Sequence, residues 1–265
     1  MKDYILGSSK KELERLSLQS QIFEPETLHT LRLASIKPGM RCVDIGCGIG
    51  DVTFMMAKLV GKKGSVIGID RNKDVIEVCK RKAGRKNATN VRFFVSDIYD
   101  NELSKDSFDL VYSRFLFQHL VEPRRALKEM MKLVITGGII VAEENDQAAW
   151  LTYPPSSGLE KLRRVYIDLL KLNECDEFIA RKLYSLFLDC GLSAQVGAYS
   201  MCIPMNGPFN MMGILVAESL KPRVLKSELM SRKEFRQMMT ELGDYARRRD
   251  GLALYATTFR VWGTK

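Results

Sequence analysis

The chain has 265 residues, of which 46% are apolar and 28% charged. That composition excludes collagen-like and long coiled-coil chains, and it carries too much apolar material for a disordered one. Lys and Arg number 41 against 32 Asp and Glu, a net charge of +9, which permits an anionic partner without demanding one. The length suits one large domain with its own core. Apolar runs such as residues 213–217 are far shorter than the ~20 residues that span a bilayer. Residues 1–6 lack the extended apolar core of an export signal. The six cysteines, at 42, 47, 79, 175, 190 and 202, form no C-x-x-C pair, so reduced thiols and a cytoplasmic location are expected.

In chain order, residues 8–35 carry Leu13, Leu16 and Ile22 on loose helical spacing and predict one or two helices. Pro38-Gly39 breaks the chain. Arg41–Ile45 reads as a strand, a glycine cluster follows, and a helix covers about 52–59. A Gly-Lys-Lys-Gly turn precedes a second strand, Val66–Ile69, and a helix over 73–83. Val91–Val95 and Phe108–Tyr112 are the third and fourth strands. Pro123 opens a helix running to Leu133, since proline suits the first helical position. Ile139–Glu143 is the fifth strand. Alternation of apolar strands with helices predicts a doubly wound, mostly parallel sheet covered on both faces.

Beyond Asn145 the alternation loosens. Residues 147–174 read as one insertion and 206–246 as a second, helical one, separated by a helix over 176–190 and a strand over 192–201. Residues 252–262 close the chain as a strand. Both insertions are expected over the carboxyl edge of the sheet, where open α/β sheets bind ligands.

The sharpest local signal is Val43-Asp44-Ile45-Gly46-Cys47-Gly48-Ile49-Gly50-Asp51. A triphosphate loop would need Lys-Ser or Lys-Thr after its last glycine, and none follows. A dinucleotide loop counted from Gly46 would need its third glycine at Asp51, and that carboxylate would stand where a pyrophosphate should lie.

What remains, D-x-G-x-G-x-G led by Asp44, resembles the first motif of the class I S-adenosylmethionine-dependent methyltransferases. Its cofactor has no phosphate but carries an ammonium and a sulfonium, which a carboxylate suits. Four more segments match in order: Val66-Ile67-Gly68-Ile69-Asp70, Ser96-Asp97-Ile98, Phe108–Arg114, and Leu133–Gly138. The resemblance spans about residues 38–146. It implies a Rossmann-like sheet of about seven strands, the last antiparallel, with helical lid insertions. Residues 37–146 would form the cofactor-binding core of a single domain, and residues 1–36 a helical lid. An opening like Tyr4-Ile5-Leu6-Gly7-Ser8-Ser9 and a close like Trp262-Gly263-Thr264-Lys265 resemble a subgroup of small-molecule type, in which the N-terminal helix covers the cofactor.

The resemblance further implies S-adenosylmethionine as cofactor, held by Asp44, Gly46, Cys47, Gly48, Ile49 and Gly50. Asp70 would clamp the ribose hydroxyls and Asp97 would accept from the adenine amine. Ile49, Arg71 and Ile98 would line the nucleoside, and Ser113 the lip beneath the methyl group. Gln19 and Tyr4 would reach back as lid contacts. Arg114 is placed to orient an acceptor, or to pair with a nearby acid. His119 reads either as a general base or as a hydrogen-bonded histidine opening the next helix. Glu143, Glu144 and Asp146 follow the fifth strand and could position an acceptor or be solvated. Trp150 and Tyr153 could wall an acceptor pocket or anchor the core. Seven of the 13 methionines fall between 201 and 239, which suits an adaptable apolar pocket or an ordinary helical core.

The expected activity is methyl transfer to a small molecule by in-line displacement, with no metal. Two alternatives stay open: a methyltransferase acting on protein or RNA through its basic surface, and a non-catalytic cofactor-binding module. Nucleic acid is disfavoured because the densest basic stretch, residues 62–86 with nine basic and three acidic side chains, lies on the helix beside the second strand, behind the expected methyl site, and lacks interleaved aromatics. The sequence leaves the oligomeric state open.

Overall fold

A computed structural model describes residues 10–265. Helix α1, Lys10–Leu33, is continuous through Pro25, so the N-terminal segment forms one helix. Strand β1, Arg41–Ile45, buries its last four residues in a row, the pattern of a strand covered on both faces. Gly50 at φ +80° turns the chain into α2, Asp51–Val60, which is buried over most of its length. Strand β2, Ser65–Asp70, leads into α3, Lys73–Arg85, whose first turn is capped by the Asn72 side chain accepting from the Asp74 amide at 2.9 Å. Strands β3, Val91–Val95, and β4, Phe108–Arg114, follow. Helix α4, Pro123–Leu133, packs Ala126, Leu127, Met130 and Leu133 inward at helical spacing.

Strand β5 runs from Val134 to Asp146, longer at both ends than its apolar stretch predicts. The extension past Glu143 follows from its partner β8, Leu252–Thr264, which pairs antiparallel with it from Ile139 to Asp146, and the one at the other end follows from Val134 pairing with Phe108 of β4. The segment expected as the first insertion contains a short strand β6, Leu151–Tyr153, and helix α5, Ser157–Leu172. Helix α6, Ile179–Asp189, and strand β7, Ser193–Pro204, come next. The second insertion folds as helices α7, Met212–Lys226, and α8, Arg232–Ala246, the latter opened by a capping box between Ser231 and Glu234.

The sheet has eight strands in the order β3-β2-β1-β4-β5-β8-β6, with β7 also paired to β8. The five strands β3, β2, β1, β4 and β5 are mutually parallel, whereas β6 and β7 join β8 antiparallel. The count of eight is in line with the expected sheet of about seven, mostly parallel strands. Tyr153 and Leu151 escape an alternating pattern because only three residues pair, with Leu252, Ala253 and Leu254.

Two apolar cores flank the sheet. One joins α2, α3 and the end of α1, and the other joins α4 and α6. A third core packs α1, α5, α7 and α8 against Phe115, which follows the carboxyl end of β4. Both insertions therefore lie over the carboxyl edge, as the sequence predicts. No described helix is long and apolar enough to cross a membrane.

Candidate functional site

The glycine turn is fixed from below by the sheet. Gly46 and Cys47 both donate their amides to the Ile69 carbonyl, at 2.8 and 2.9 Å. Gly46 sits at φ +71°, and a Cβ there would lie 3.0 Å from the Leu116 side chain. Both its dihedral and its space require glycine. The Gly48 amide donates to Asp70 Oδ2 at 3.0 Å, and the Asn72 amide donates to Oδ1 at 2.9 Å. The carboxylate at the end of β2 is thereby oriented by two amides. Burial raises the Asp70 carboxyl above its ordinary range, and these two amides oppose that shift.

Asp44 lies beneath the turn, 2% exposed, and accepts from Thr53 Oγ1 at 2.6 Å. Burial pushes its carboxyl up to about 6, against the pull of Thr53 and Arg114. It borders a small recess of about 60 Å³ shared with Cys47, Ile49, Gln19 and Arg114.

Beside this recess a cavity of about 610 Å³ opens along the carboxyl ends of β1, β2 and β4. One half is polar: Asp70, Arg71, Asp97, Ile98 and Tyr99 line it. Asp97 Oδ1 accepts from the Tyr99 amide at 2.9 Å. The other half is walled by Phe23, Phe115, Trp150, Tyr166, Met212 and Tyr255. Phe23 meets Phe115 edge-on with ring centroids 5.0 Å apart, and Trp150 meets Tyr255 at 5.3 Å. Phe115 and Ala256, both on this wall, hold φ of +57° and +54°, backbone strain of the kind that gathers at functional sites.

Helix α1 closes the cavity from above and is tied to the sheet by polar contacts. Arg114 donates to Thr27 Oγ1 at 2.7 Å. Glu143, fully buried, accepts from Thr30 Oγ1 at 3.0 Å, from Tyr199 Oη at 2.9 Å and from Tyr112 Oη. Arg260 reaches Glu26 at 3.2 Å across the same interface. On the cavity side of α1, Arg15 is paired with Glu12 through two bonds of 2.7 Å and also donates to Gln19.

The structure brings Gly46, Gly48, Asp70, Arg71, Asp97, Ile98, Gln19, Arg114, His119 and Trp150 to the one cavity. Cys47, Ile49 and Asp44 border only the recess beside it. His119 ends a short 3-10 turn, Phe117–His119, and burial with the nearby Arg15 and Arg71 charges pushes its imidazole down to about 3. Tyr4 lies outside the described residues.

Several expected site residues stand elsewhere. A Cβ on Gly50 would meet Cys79 of α3 and Phe93 of β3 at 3.0 Å, so this glycine lets the start of α2 pack closely against both. Ser113 is fully buried in β4. Glu144 points to the opposite face of β5 from Glu143 and accepts from the Phe117 amide at 2.6 Å. It caps the turn that carries His119, and burial raises its carboxyl to about 8. Asp146 is engaged by Arg181 on α6 at 2.7 and 3.1 Å. Tyr153 is 69% exposed.

Sequence reasoning missed Arg15, Phe115, Gln118, Gln147, Tyr166 and Tyr255, all of which line the cavity. Arg15 was legible only as the residue one helical turn before Gln19. The others sit on segments that lack a local motif. Of the methionines, Met201 and Met212 line the cavity, whereas Met205, in the turn after β7, and Met238, on α8, are buried in the core.

Residues 36–177 match the methyltransferase domain family. The chain is 27% identical over 124 residues to the demethylmenaquinone methyltransferase of Bacillus cereus, a match covering 47% of this chain and 52% of that protein. It thus spans about half the length of such curated relatives. Its fold is similar to a SAM dependent methyltransferase from Aquifex aeolicus, with a TM-score of 0.55 and 20% identity over 73% of this chain and 92% of that one. It is also similar to phosphoethanolamine N-methyltransferase 2 of Haemonchus contortus, with a TM-score of 0.58 and 16% identity over 94% of this chain and 56% of that one.

Proposed function

The chain belongs to the methyltransferase domain family, and from that premise we propose that it transfers a methyl group from S-adenosylmethionine to an apolar small-molecule acceptor. The observation that carries this reading is the continuity of one cavity, from the glycine turn and its two strand-end acids to a wall of aromatic and methionine side chains.

The residues fit the cofactor. Asp70 presents an oriented, half-buried carboxylate for two vicinal hydroxyls, and Asp97 keeps Oδ2 open beside Ile98 for an adenine amine. Asp44 and the recess offer negative charge to an ammonium, which a phosphate-bearing cofactor would oppose. When bound, the cofactor supplies an electrophilic methyl group on a positively charged sulfur. The work of the chain is to hold the acceptor's nucleophile in line with that group and to exclude water. Well-oriented reactants gain effective molarities of ~10⁵ M or more, so positioning alone is a large contribution. In this reading α1 and the segments 147–174 and 206–246 form the lid, and Phe115, Trp150 and Tyr255 orient the acceptor. Six free cysteines suit a reducing compartment, and we place the protein in the cytoplasm.

Calorimetric titration with S-adenosylhomocysteine, followed by methyl transfer from labelled S-adenosylmethionine to a panel of apolar acceptors, tests the proposal. Saturable heat and labelled product are expected. Absence of heat would overturn it.

A further inference from the structure

The apolar half of the cavity contains a directed chain of amides. The Trp150 indole N–H donates to Gln147 Oε1 at 3.2 Å. Gln147 Nε2 donates to Gln118 Oε1 at 2.6 Å, and Gln118 Nε2 stands 3.5 Å from the Phe115 carbonyl. Both glutamines are buried, at 3% and 4% exposure, and both line the cavity with Trp150.

The indole fixes the polarity of the whole chain. Trp is a donor only, so the Gln147 atom facing it must be its oxygen. Gln147 then turns its nitrogen to Gln118, which must answer with its own oxygen. The Gln118 nitrogen is thereby left toward Phe115 and the cavity. Each amide nitrogen carries two N–H groups, and the chain uses one of each. Asn145, on the same wall, likewise accepts at Oδ1 from Thr258 at 2.6 Å. The carboxylates that the sequence places near this rim are engaged elsewhere: Glu143 with α1 and β7, Glu144 under the 3-10 turn, Asp146 with Arg181. The end of the chain, Gln118 Nε2 beside Phe115, therefore places an amide donor on an otherwise largely apolar wall.

We propose that Gln118, its polarity set by Gln147 and Trp150, selects acceptors carrying a hydrogen-bond-accepting oxygen, a carbonyl or an oxyanion, next to the methylated position. The proposal rests on the methyltransferase reading and names its substrate class as oxygenated apolar molecules. A buried site with unused donors rejects a ligand that leaves them unpaired. It also rejects a protonated amine, which would set donor against donor.

The test uses the full chain saturated with S-adenosylhomocysteine and two isosteric probes, 2-acetylnaphthalene and 2-isopropenylnaphthalene, which differ by C=O against C=CH2. The ketone is expected to bind about tenfold tighter or more. In Gln118→Glu the side chain still accepts from Gln147 but has no N–H to offer, and the preference should fall to within about twofold. A merely structural role would weaken both probes together and leave the ratio intact. Trp150→Phe, which removes the N–H that sets the polarity, gives a second route to the same collapse if the first variant does not fold. Equal affinity for the two probes in the parent protein, binding of neither, or an unchanged ratio in a folded variant would overturn the assignment. The S-adenosylhomocysteine titration reports separately on the methyltransferase reading, so the two failures are distinct.

Discussion

Asp70 and Gly48, 22 residues apart, are joined by an amide-to-carboxylate bond of 3.0 Å that locks the glycine turn to the end of β2. One acid thus shapes the turn and faces the cavity. Asp70→Ala should weaken S-adenosylhomocysteine binding by ~1.5–3 kcal/mol, the scale of lost charged hydrogen bonds. Calorimetry reads this directly, and unchanged affinity would remove Asp70 from the site.

Glu143 gathers three hydroxyl donors from α1, β4 and β7 in a fully buried position. Glu143→Ala would strand all three hydroxyls and leave Arg114 without that nearby charge. A loss of about 3–5 kcal/mol is expected, as for breaking a buried charged cluster. Urea denaturation of the two proteins gives the difference, and a loss under about 1 kcal/mol would contradict the network's role.

Glu144 gives a pH signature. Its carboxyl is raised from 4.5 to about 8 by burial. Between those values the folded chain keeps a proton that the unfolded chain has released. Stability therefore falls as pH rises from about 5 to 8, by at most about 1.4 kcal/mol per pH unit from this group. Glu144→Gln should flatten that decline in urea melts at pH 5, 6.5 and 8. An equal slope in both proteins would sink the assignment.

His119 has the opposite displacement, pushed down to about 3 from 6.5. Its imidazole stays neutral across the physiological range. Its carbon-bound proton resonances should not shift between pH 5 and 8, and methyl transfer should show no rise near pH 6.5 that His119→Gln abolishes. A titration midpoint above 5 in the NMR spectrum would contradict the buried environment.

Val216 lines the apolar half of the cavity from α7. Val216→Trp fills that space with a large side chain. Turnover should drop by about 100-fold or more, the effect of displacing a nucleophile by an ångström or so. S-adenosylhomocysteine affinity should change little, since Val216 packs in the core of Phe115 and Tyr255 and not in that of Ile69 and Ile98, the neighbours of the strand-end acids. Parallel loss of cofactor binding would show that the two halves are not separate.

The polar half of the cavity was legible because its signals are local. A glycine turn between an apolar strand and a helix, with acids at the next two strand ends, depends on dihedral freedom and strand period, which a short window contains. Gly46, Gly48, Asp70, Asp97 and Ile98 all line the one cavity. The apolar half was not legible, because Phe115, Tyr166, Met212 and Tyr255 come from four distant elements and share no pattern. Strand β6 escaped for a similar reason, since only β8 makes its three residues a strand.

The sequence by itself determined the layered sheet, the order of its first five strands and helices, and the glycine turn at the end of β1, because those follow from period and turn chemistry along the chain. Tertiary structure decided which rim carboxylates face which way. Glu143 and Glu144 are neighbours in sequence, yet strand alternation sends one to α1 and the other beneath the 3-10 turn. A one-residue step reverses a side chain's face, and only the packed partners on each side say which face is the cavity's.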